Sequence, residues 1–325
     1  MKLILKPGIV SFIFISLLWT GCSTFYKSKE QSKQSHHSAF KTKKGKRIYL
    51  QSYDKALKSL WGVPFEEMDI ETPFGIAHII ASGEKNKPSL VLLHGMNASS
   101  TMWYPNAKAF SQKYRVYCID FILEPGKSVS NGSISKVDDL ITWYDLIFDQ
   151  LKLDKFPVVG ESRGGWMAMQ LALHSKKKIT KIAILSPAHA FTWIKPKKEI
   201  FKNIFFEIFP QRKHLRSVLK TMMTDVDKLS QLYINQYYLA VTKSKKSSSI
   251  LQVKPFTDDE LKALNVPVLL LIGDTDIINN EEGLNRAKKI IPQIKASIIN
   301  KAGHFISFDQ PEIVNKVVLA FLEER

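Results

Sequence analysis

The segment Gly160-Glu161-Ser162-Arg163-Gly164 places one serine between two glycines. An apolar run ends just before this segment and a run with helical spacing follows it, which predicts a sharp turn from a strand into a helix. In such a turn, side chains at the two glycine positions would clash with the neighbouring strand and helix. Because the turn projects the serine oxygen into a crevice above the helix N-terminus, Ser162 is a candidate nucleophile.

A serine hydroxyl is a weak nucleophile that needs a base, and the base needs an acid that orients it. Of the eight histidines, His304 is predicted to lie in a loop between the last strand and the last helix, facing Ser162. Asp276 follows the apolar run Val268–Ile272 and is our choice for the acid. Asp274 is the alternative, although its place nearer the strand end favours hydrogen bonds to the backbone of its own turn.

The sequence His94-Gly95-Met96 ends another short apolar run and begins a loop. Gly95 would let the backbone turn close to a substrate. The backbone amides of Met96 and Arg163 are therefore predicted to donate to the oxyanion that forms when a serine attacks a carbonyl group. His94 is predicted to bond the loop backbone rather than to act as a base.

Short apolar runs alternate with helix-like segments of about 10–15 residues, and this order predicts an α/β fold with a mostly parallel, doubly wound sheet. The core is predicted in two parts, residues 51–186 and 265–325. Residues 187–264 contain no buried-strand pattern and are predicted to form a helical cap above the strand ends.

Several aromatic residues of the predicted cap are expected to line a pocket over Ser162, namely Phe205, Phe209 and Tyr237. The side chain of Arg163 is expected to point into the cap or into solvent. Attraction of an anionic substrate by this side chain is the alternative.

The chain has 325 residues, two cysteines and a formal net charge of +17. The length allows a sizeable core, and two cysteines exclude both a disulfide scaffold and a four-thiolate metal site. The positive charge favours attraction to anionic surfaces. No nucleic-acid-binding signature accompanies it, so we expect no nucleic-acid partner, and no metal or cofactor is expected.

The N-terminal residues 1–21 are predicted to form a signal peptide. Two lysines precede the uncharged run Pro7–Thr20, which is shorter than the roughly 18 apolar residues of a confident membrane-spanning helix. Cys22 follows directly and is the predicted lipidation site. Residues 22–50 are polar and lysine-rich, and are predicted to form a basic, disordered tether. A plain cleaved signal and an uncleaved anchor are the alternatives to lipidation.

Two resemblances add to this interpretation. The runs LLHGM, GESRGGWMAMQLAL, LLLIGDTDII and AGHFISFDQPEIVNKVVLAFL resemble the α/β-hydrolase superfamily, in its carboxylesterase and lipase branch, over Phe65–Arg325 apart from the cap. Asp120–Ser128 resembles that family's D-x-x-G-x-G-x-S loop but has Leu123 and Glu124 where a glycine is usual. The run Leu18–Cys22 resembles the lipobox of bacterial lipoproteins.

The hydrolase resemblance implies an α/β-hydrolase fold and gives each candidate residue a role. Ser162 would be the nucleophile, His304 the base and Asp276 its orienting acid, with Met96 and Arg163 as oxyanion donors. A serine at position 162 argues against the dehalogenase and epoxide hydrolase branches, which attack with aspartate.

The expected function is that of an exported carboxylesterase, anchored to a bacterial membrane through Cys22, which cleaves a small-molecule or lipid-like ester. Thioesterase, lactonase, C–C hydrolase and acyltransferase chemistry are alternatives on the same fold. A catalytically silent surface-binding lipoprotein is a further alternative. The sequence does not determine the oligomeric state.

Overall fold

The computed structural model describes residues 38–245 and 253–324, and a nine-stranded sheet forms the centre of this part of the chain. Its strands are β1 (Phe65–Thr72), β2 (Gly75–Ser82), β3 (Ser89–Leu93), β4 (Arg115–Ile119), β5 (Val129–Ser130), β6 (Lys155–Glu161), β7 (Lys178–Leu185), β8 (Val268–Gly273) and β9 (Ile294–Ile299). They lie in the order β1-β2-β4-β3-β6-β7-β8-β9, with the short β5 paired to β2.

All neighbouring strands from β4 across to β9 are parallel, whereas β2 is antiparallel to β1, β4 and β5. The antiparallel strands β1 and β2 form a hairpin that turns at Pro73-Phe74. The predicted α/β fold with a mostly parallel sheet is thereby confirmed.

Helices cover both faces of the sheet. They are α1 (Lys43–Leu60), α2 (Tyr104–Ser111), α3 (Val137–Gln150), α4 (Arg163–His174), α5 (Lys198–Ile208), α6 (Arg212–Met222), α7 (Gln231–Lys243), α8 (Asp258–Lys262), α9 (Glu281–Ile290), α10 (Ile306–Asp309) and α11 (Pro311–Glu323). Within β3, Leu90 and Leu92 belong to one hydrophobic core while Val91 and Leu93 belong to the other. Four consecutive apolar residues, Leu90 to Leu93, are what burial on both faces requires.

Helix α1 occupies part of the predicted tether, so the prediction of disorder over 22–50 is wrong for residues 43–50. Thr42 caps the helix by accepting a hydrogen bond from the Gly45 amide at 2.9 Å. Tyr49 and Tyr53, four residues apart, are fully buried. Only one narrow face of α1 is apolar, so the segment is polar on average and its composition does not indicate a helix.

The residues before position 38, including the predicted signal peptide and Cys22, lie outside the described part of the chain. Among the helices that the structure does describe, none has the length and apolar character that crossing a bilayer would require. Cys118 is buried in β4 as a free thiol.

The four helices α5 to α8 lie between β7 and β8, where a helical cap is predicted. Within 187–264, the described residues contribute no strand to the sheet. Helix α7 packs against α1, and the backbone of Lys41 donates to the carbonyl of Lys243 at 2.8 Å. Helix α1 and the residues just before it therefore pack against cap helix α7.

Candidate active site

Ser162 lies in the turn between β6 and α4 with a backbone φ of 56°. A non-glycine residue in this region is strained, and the surrounding structure must hold it there. A Cβ at Gly160 would lie 2.2 Å from the carbonyl oxygen of Gly164, and one at Gly164 would lie 2.1 Å from that of Leu93. The turn therefore needs glycine at both positions, for the steric reason that the sequence predicts.

The three predicted reactive side chains form one hydrogen-bonded chain. Nε2 of His304 is 2.9 Å from Oγ of Ser162, and Nδ1 is 3.1 and 3.2 Å from the two carboxylate oxygens of Asp276. His304 and Asp276 are buried. If Nδ1–H donates to Asp276, the free electron pair of Nε2 faces the serine hydroxyl and can accept its proton.

The parallel sheet brings these residues together. Ser162 follows β6, Asp276 follows β8 and His304 follows β9, so all three lie at the C-terminal edge of the sheet.

Asp274 does not contact His304. Its two carboxylate oxygens accept hydrogen bonds from the backbone amides of Lys301 and Ala302, each at 3.0 Å. The expectation that Asp274 bonds the backbone is confirmed, but the amides belong to the loop that leads into His304. One aspartate thus holds the loop while the other holds the imidazole ring.

Electrostatic interactions between His304 and Asp276 favour the protonated form of the imidazole. Burial disfavours the imidazolium ion, but the charge of Asp276, its hydrogen bond and the charge of Glu161 together raise the pKa of His304 above its usual value. Burial also opposes ionisation of Asp276, yet His304 and the hydrogen bonds from Asn279 and Ile278 lower the pKa of this carboxyl group. The pair is therefore built to hold a transferred proton on His304.

Two backbone amides next to Ser162 have no acceptor among the described residues, and they belong to Met96 and Arg163. Both are the predicted oxyanion donors. A Cβ at Gly95 would lie 3.2 Å from Cβ of Ser162, so the loop after β3 runs directly beside the nucleophile. This close approach is the reason for the glycine at position 95.

Glu124 connects the two sides of the candidate oxyanion site, and sequence reasoning did not find this role. One carboxylate oxygen accepts from the guanidinium group of Arg163, and the other accepts from the backbone amide of Asn97 at 2.9 Å. The Arg163 side chain is buried over the Phe121 ring and pairs with Glu124, so the expectation that it points into the cap or into solvent is wrong. The one feature of the sequence that could have pointed to this role is that Glu124 stands where the family usually has a glycine.

His94 and Asp120 also support the loop after β3. Nδ1 of His94 donates to the Gly95 carbonyl at 2.9 Å and Nε2 accepts from the Phe121 amide at 2.8 Å, which confirms the predicted structural role. Burial lowers the pKa of His94, so the ring stays neutral. Oδ1 of Asp120 accepts from the Ser100 amide at 2.7 Å.

Glu161 precedes the nucleophile and is almost completely buried. Burial raises the pKa of Glu161 to about 7, although a hydrogen bond from the Ser307 hydroxyl and the charge of His304 oppose this rise. Its Oε1 atom has no hydrogen-bond partner among the described residues. In its ionised form, Glu161 stabilises a positive charge on His304 through the protein interior.

A narrow and mostly apolar pocket opens at Ser162. Its lining consists of Gly95, Met96, Ala98, Met102, Glu161, Ser162, Tyr233, Tyr237, Phe305 and Phe308. Two of these residues, Tyr233 and Tyr237, come from cap helix α7, and Tyr237 was expected there. The expectation is wrong for Phe205 and Phe209, which are exposed because the face of α5 that carries them points away from the core.

We expect Asp276→Asn to lower the rate at which a fluorophosphonate labels Ser162 by about 10³-fold or more at neutral pH, because the imidazole loses its orienting acceptor. The labelling rate of the unmodified protein should fall as the pH drops through the raised pKa of His304. In Asp276→Asn this acid limb should move to lower pH, because the charge that raises the pKa is gone.

The matched control is Asp274→Asn, which should slow labelling by about tenfold or less because it disturbs only the loop. A larger loss in Asp274→Asn than in Asp276→Asn would contradict the assignment of the orienting acid.

Comparisons with known proteins identify the family of this chain. Residues 88–311, which include Ser162, Asp276 and His304, match the family model described as the alpha/beta hydrolase fold. Carboxylesterase YbfK of Bacillus subtilis is 35% identical over 284 residues, which cover 86% of this chain and 94% of that protein.

Two further relatives come from the same bacterium. The uncharacterized carboxylesterase nap is 36% identical over 282 residues, covering 84% of this chain and 91% of that protein. The crystal structure of naproxen esterase (carboxylesterase NP) aligns with a TM-score of 0.78 at 34% identity, covering 90% of this chain and 99% of that chain. Because the family model matches more than half of the chain and the two carboxylesterases are 35% and 36% identical over most of it, this chain belongs to the alpha/beta hydrolase fold family.

Proposed function

We propose that this protein is a carboxylesterase that cleaves carboxylic esters through an acyl intermediate on Ser162. The observation that carries the proposal is the hydrogen-bonded chain from Asp276 through His304 to Ser162, beside two amides without acceptors among the described residues. The relatives named carboxylesterases support it, since they are at least 34% identical over most of the chain.

In the proposed reaction, Oγ of Ser162 attacks the ester carbonyl carbon while its proton moves to Nε2 of His304. Asp276 stabilises the resulting imidazolium. The carbonyl oxygen becomes an oxyanion and accepts hydrogen bonds from the amides of Met96 and Arg163, each of which can contribute about 3–4 kcal/mol. Collapse of the intermediate expels the alcohol, which takes its proton from His304.

The second half of the reaction repeats this chemistry with water. His304 removes a proton from a water molecule that attacks the acyl carbon, and the same amides stabilise the second oxyanion. When this intermediate collapses, Oγ of Ser162 leaves as the proton returns from His304. The carboxylic acid is released and the enzyme is restored.

The pocket lining favours a neutral, apolar acyl group. Apart from Ser162 and Glu161, the side chains around the pocket are aliphatic, aromatic or thioether groups. Arg163 offers no free cation to an anionic substrate, because Glu124 pairs with it. We therefore infer that the preferred esters carry an uncharged hydrocarbon acyl chain.

Thioesterase, lactonase, C–C hydrolase and acyltransferase activities would use the same reactive groups, so they remain competing forms of this proposal. The catalytically silent alternative is disfavoured by the orientation of His304, which is held between an acid and a serine by hydrogen bonds on both ring nitrogens.

A panel of p-nitrophenyl esters with graded acyl chains tests the proposal. We expect turnover that disappears in Ser162→Ala, and a chain-length optimum that moves to longer acids in Tyr237→Ala, because this change enlarges the pocket by most of an aromatic side chain. Phe209→Ala is the matched control, since Phe209 is exposed and should leave the optimum unchanged.

Matched thioesters and lactones of the same acids distinguish the competing activities. The esterase proposal fails if the ester panel shows no Ser162-dependent turnover, or if thioesters or lactones are turned over with a far higher kcat/KM than the esters.

Glu124 provides a second test, because it should act by positioning the two oxyanion donors. Glu124→Gln keeps an acceptor for Asn97 but loses the charge opposite Arg163, and we expect about tenfold lower kcat with little change in KM. Binding of a boronic acid transition-state analogue should weaken by the same factor. Glu66→Gln is the control, since Glu66 pairs with Arg115 at the surface of β1. Unchanged kcat in Glu124→Gln would argue against a positioning role.

We also propose that the protein is exported and held on a bacterial membrane through lipidated Cys22. The signal-like residues 1–21, the lipobox-like run and the lysine-rich segment after it support this proposal. In a bacterial host, metabolic labelling with an alkyne fatty acid should mark the wild-type protein and not Cys22→Ser. Equal labelling of the two proteins, or none in either, would contradict lipidation at Cys22.

A further inference from the structure

Cap helix α5 exposes an apolar face that the proposed reaction does not use. Its members are four residues of the helix and its C-cap residue Phe209, and each is between 49% and 62% exposed: Phe201, Ile204, Phe205, Ile208 and Phe209. Phe206, on the other side of the helix, is buried in the core. A continuous cluster of large apolar side chains on a protein surface commonly marks an interaction site.

Basic residues surround this α5 face. Between positions 195 and 213 the chain carries six of them, Lys195, Lys197, Lys198, Lys202, Arg212 and Lys213, against the two acidic residues Glu199 and Glu207. Lys197, Lys198, Lys202 and Lys213 form no ion pair with any carboxylate in the described part of the chain. The rim of the α5 face is therefore positively charged.

Helix α5 lies next to the loop that lines the pocket. Glu207, on α5, accepts a hydrogen bond of 2.6 Å from the side-chain amide of Asn97. Asn97 follows Met96, which lines the pocket and is itself 53% exposed. The helix that carries the apolar face is therefore close to the opening above Ser162.

We propose that the α5 face docks this protein on the surface of an anionic lipid bilayer. In this arrangement α5 lies in the plane of the interface, with its phenylalanines and isoleucines at the boundary of the acyl chains and its lysines against the lipid phosphates. Charge complementarity favours an anionic bilayer over a protein partner, because lysine is depleted in protein–protein interfaces but favoured beside anionic lipid. The inference rests neither on lipidation of Cys22 nor on esterase activity.

A fluorescent label on the α5 face tests the docking directly. In full-length protein carrying Cys22→Ser, Phe209→Cys can be labelled with bimane, since the remaining Cys118 is buried. We expect a blue shift on addition of equimolar phosphatidylglycerol–phosphatidylcholine vesicles, a much smaller shift with phosphatidylcholine alone, and weakening of the shift in about 0.5 M NaCl. The same label at exposed Asp154, which precedes β6 at the opposite edge of the sheet, should show no shift.

Substitutions on the α5 face provide the second arm. Adding Phe201→Ser and Phe205→Ser to the labelled protein should raise the vesicle concentration for the half-maximal shift by about tenfold or more. Ile298→Ser, at an apolar position on edge strand β9 that is 46% exposed, should not change it. All these variants should hydrolyse soluble p-nitrophenyl acetate like the parent, if the parent hydrolyses it, which checks folding separately.

Several results would overturn the proposal. They are the absence of a shift, an equal shift with neutral vesicles, an equal shift at position 154, and a label that is already shifted without lipid and does not respond to vesicles. The last result would mean that another part of the chain covers the α5 face. Because the readout is fluorescence, failure of the docking is distinct from failure of the esterase proposal.

Discussion

The turn at Ser162 is the constraint on which the rest of the site depends. A serine held at a φ of 56° puts its hydroxyl beyond the edge of the sheet, but the backbone reaches this conformation only where its neighbours leave room. Gly160 and Gly164 supply that room, and the amide of Ser162 is tied to the carbonyl of Leu185 at 2.9 Å. The fixed position of the hydroxyl then determines where the base and the oxyanion donors must lie.

Three carboxylates hold the groups around this turn. Asp274 binds the loop before His304, Asp120 binds the amide of Ser100, and Glu124 joins Asn97 to Arg163. Asp120 and Glu124 are buried, and hydrogen bonds from backbone amides or a guanidinium group compensate for their desolvation, whereas Asp274 is exposed. Because these bonds are strong and directional, they keep the oxyanion loop and the base loop in place before a substrate arrives.

The cap has two different faces. On its inner side, Tyr233 and Tyr237 of α7 help to form the pocket, and Gln236 donates to the hydroxyls of Ser99 and Thr101 in the loop after β3. On its outer side, the α5 face leaves apolar side chains exposed. The same insertion thus shapes the acyl pocket and presents the surface for which we propose lipid binding.

The sequence alone determined the features that depend on local pattern. Apolar runs such as the one that ends at His94, Ser89–His94, could be identified as buried strands because both faces of a parallel sheet exclude water. Ser162, Asp276 and His304 could be proposed together because residues that follow parallel strands meet at one edge. The sharp turn at Ser162 could also be predicted from its glycines, since a turn this sharp leaves no room for a side chain at positions 160 and 164.

Tertiary structure alone decided the features that depend on distant partners. The composition around Tyr49 is polar on average, and α1 is stable because its narrow apolar face meets α7 across almost two hundred residues of chain. Glu124 became a link between the oxyanion donors only when the loop after β4 folded beside Arg163. Likewise, Phe205 and Phe206 are adjacent residues of the same type, and the packing of α5 alone exposes Phe205 and buries Phe206, because a helix can turn only one face toward the core.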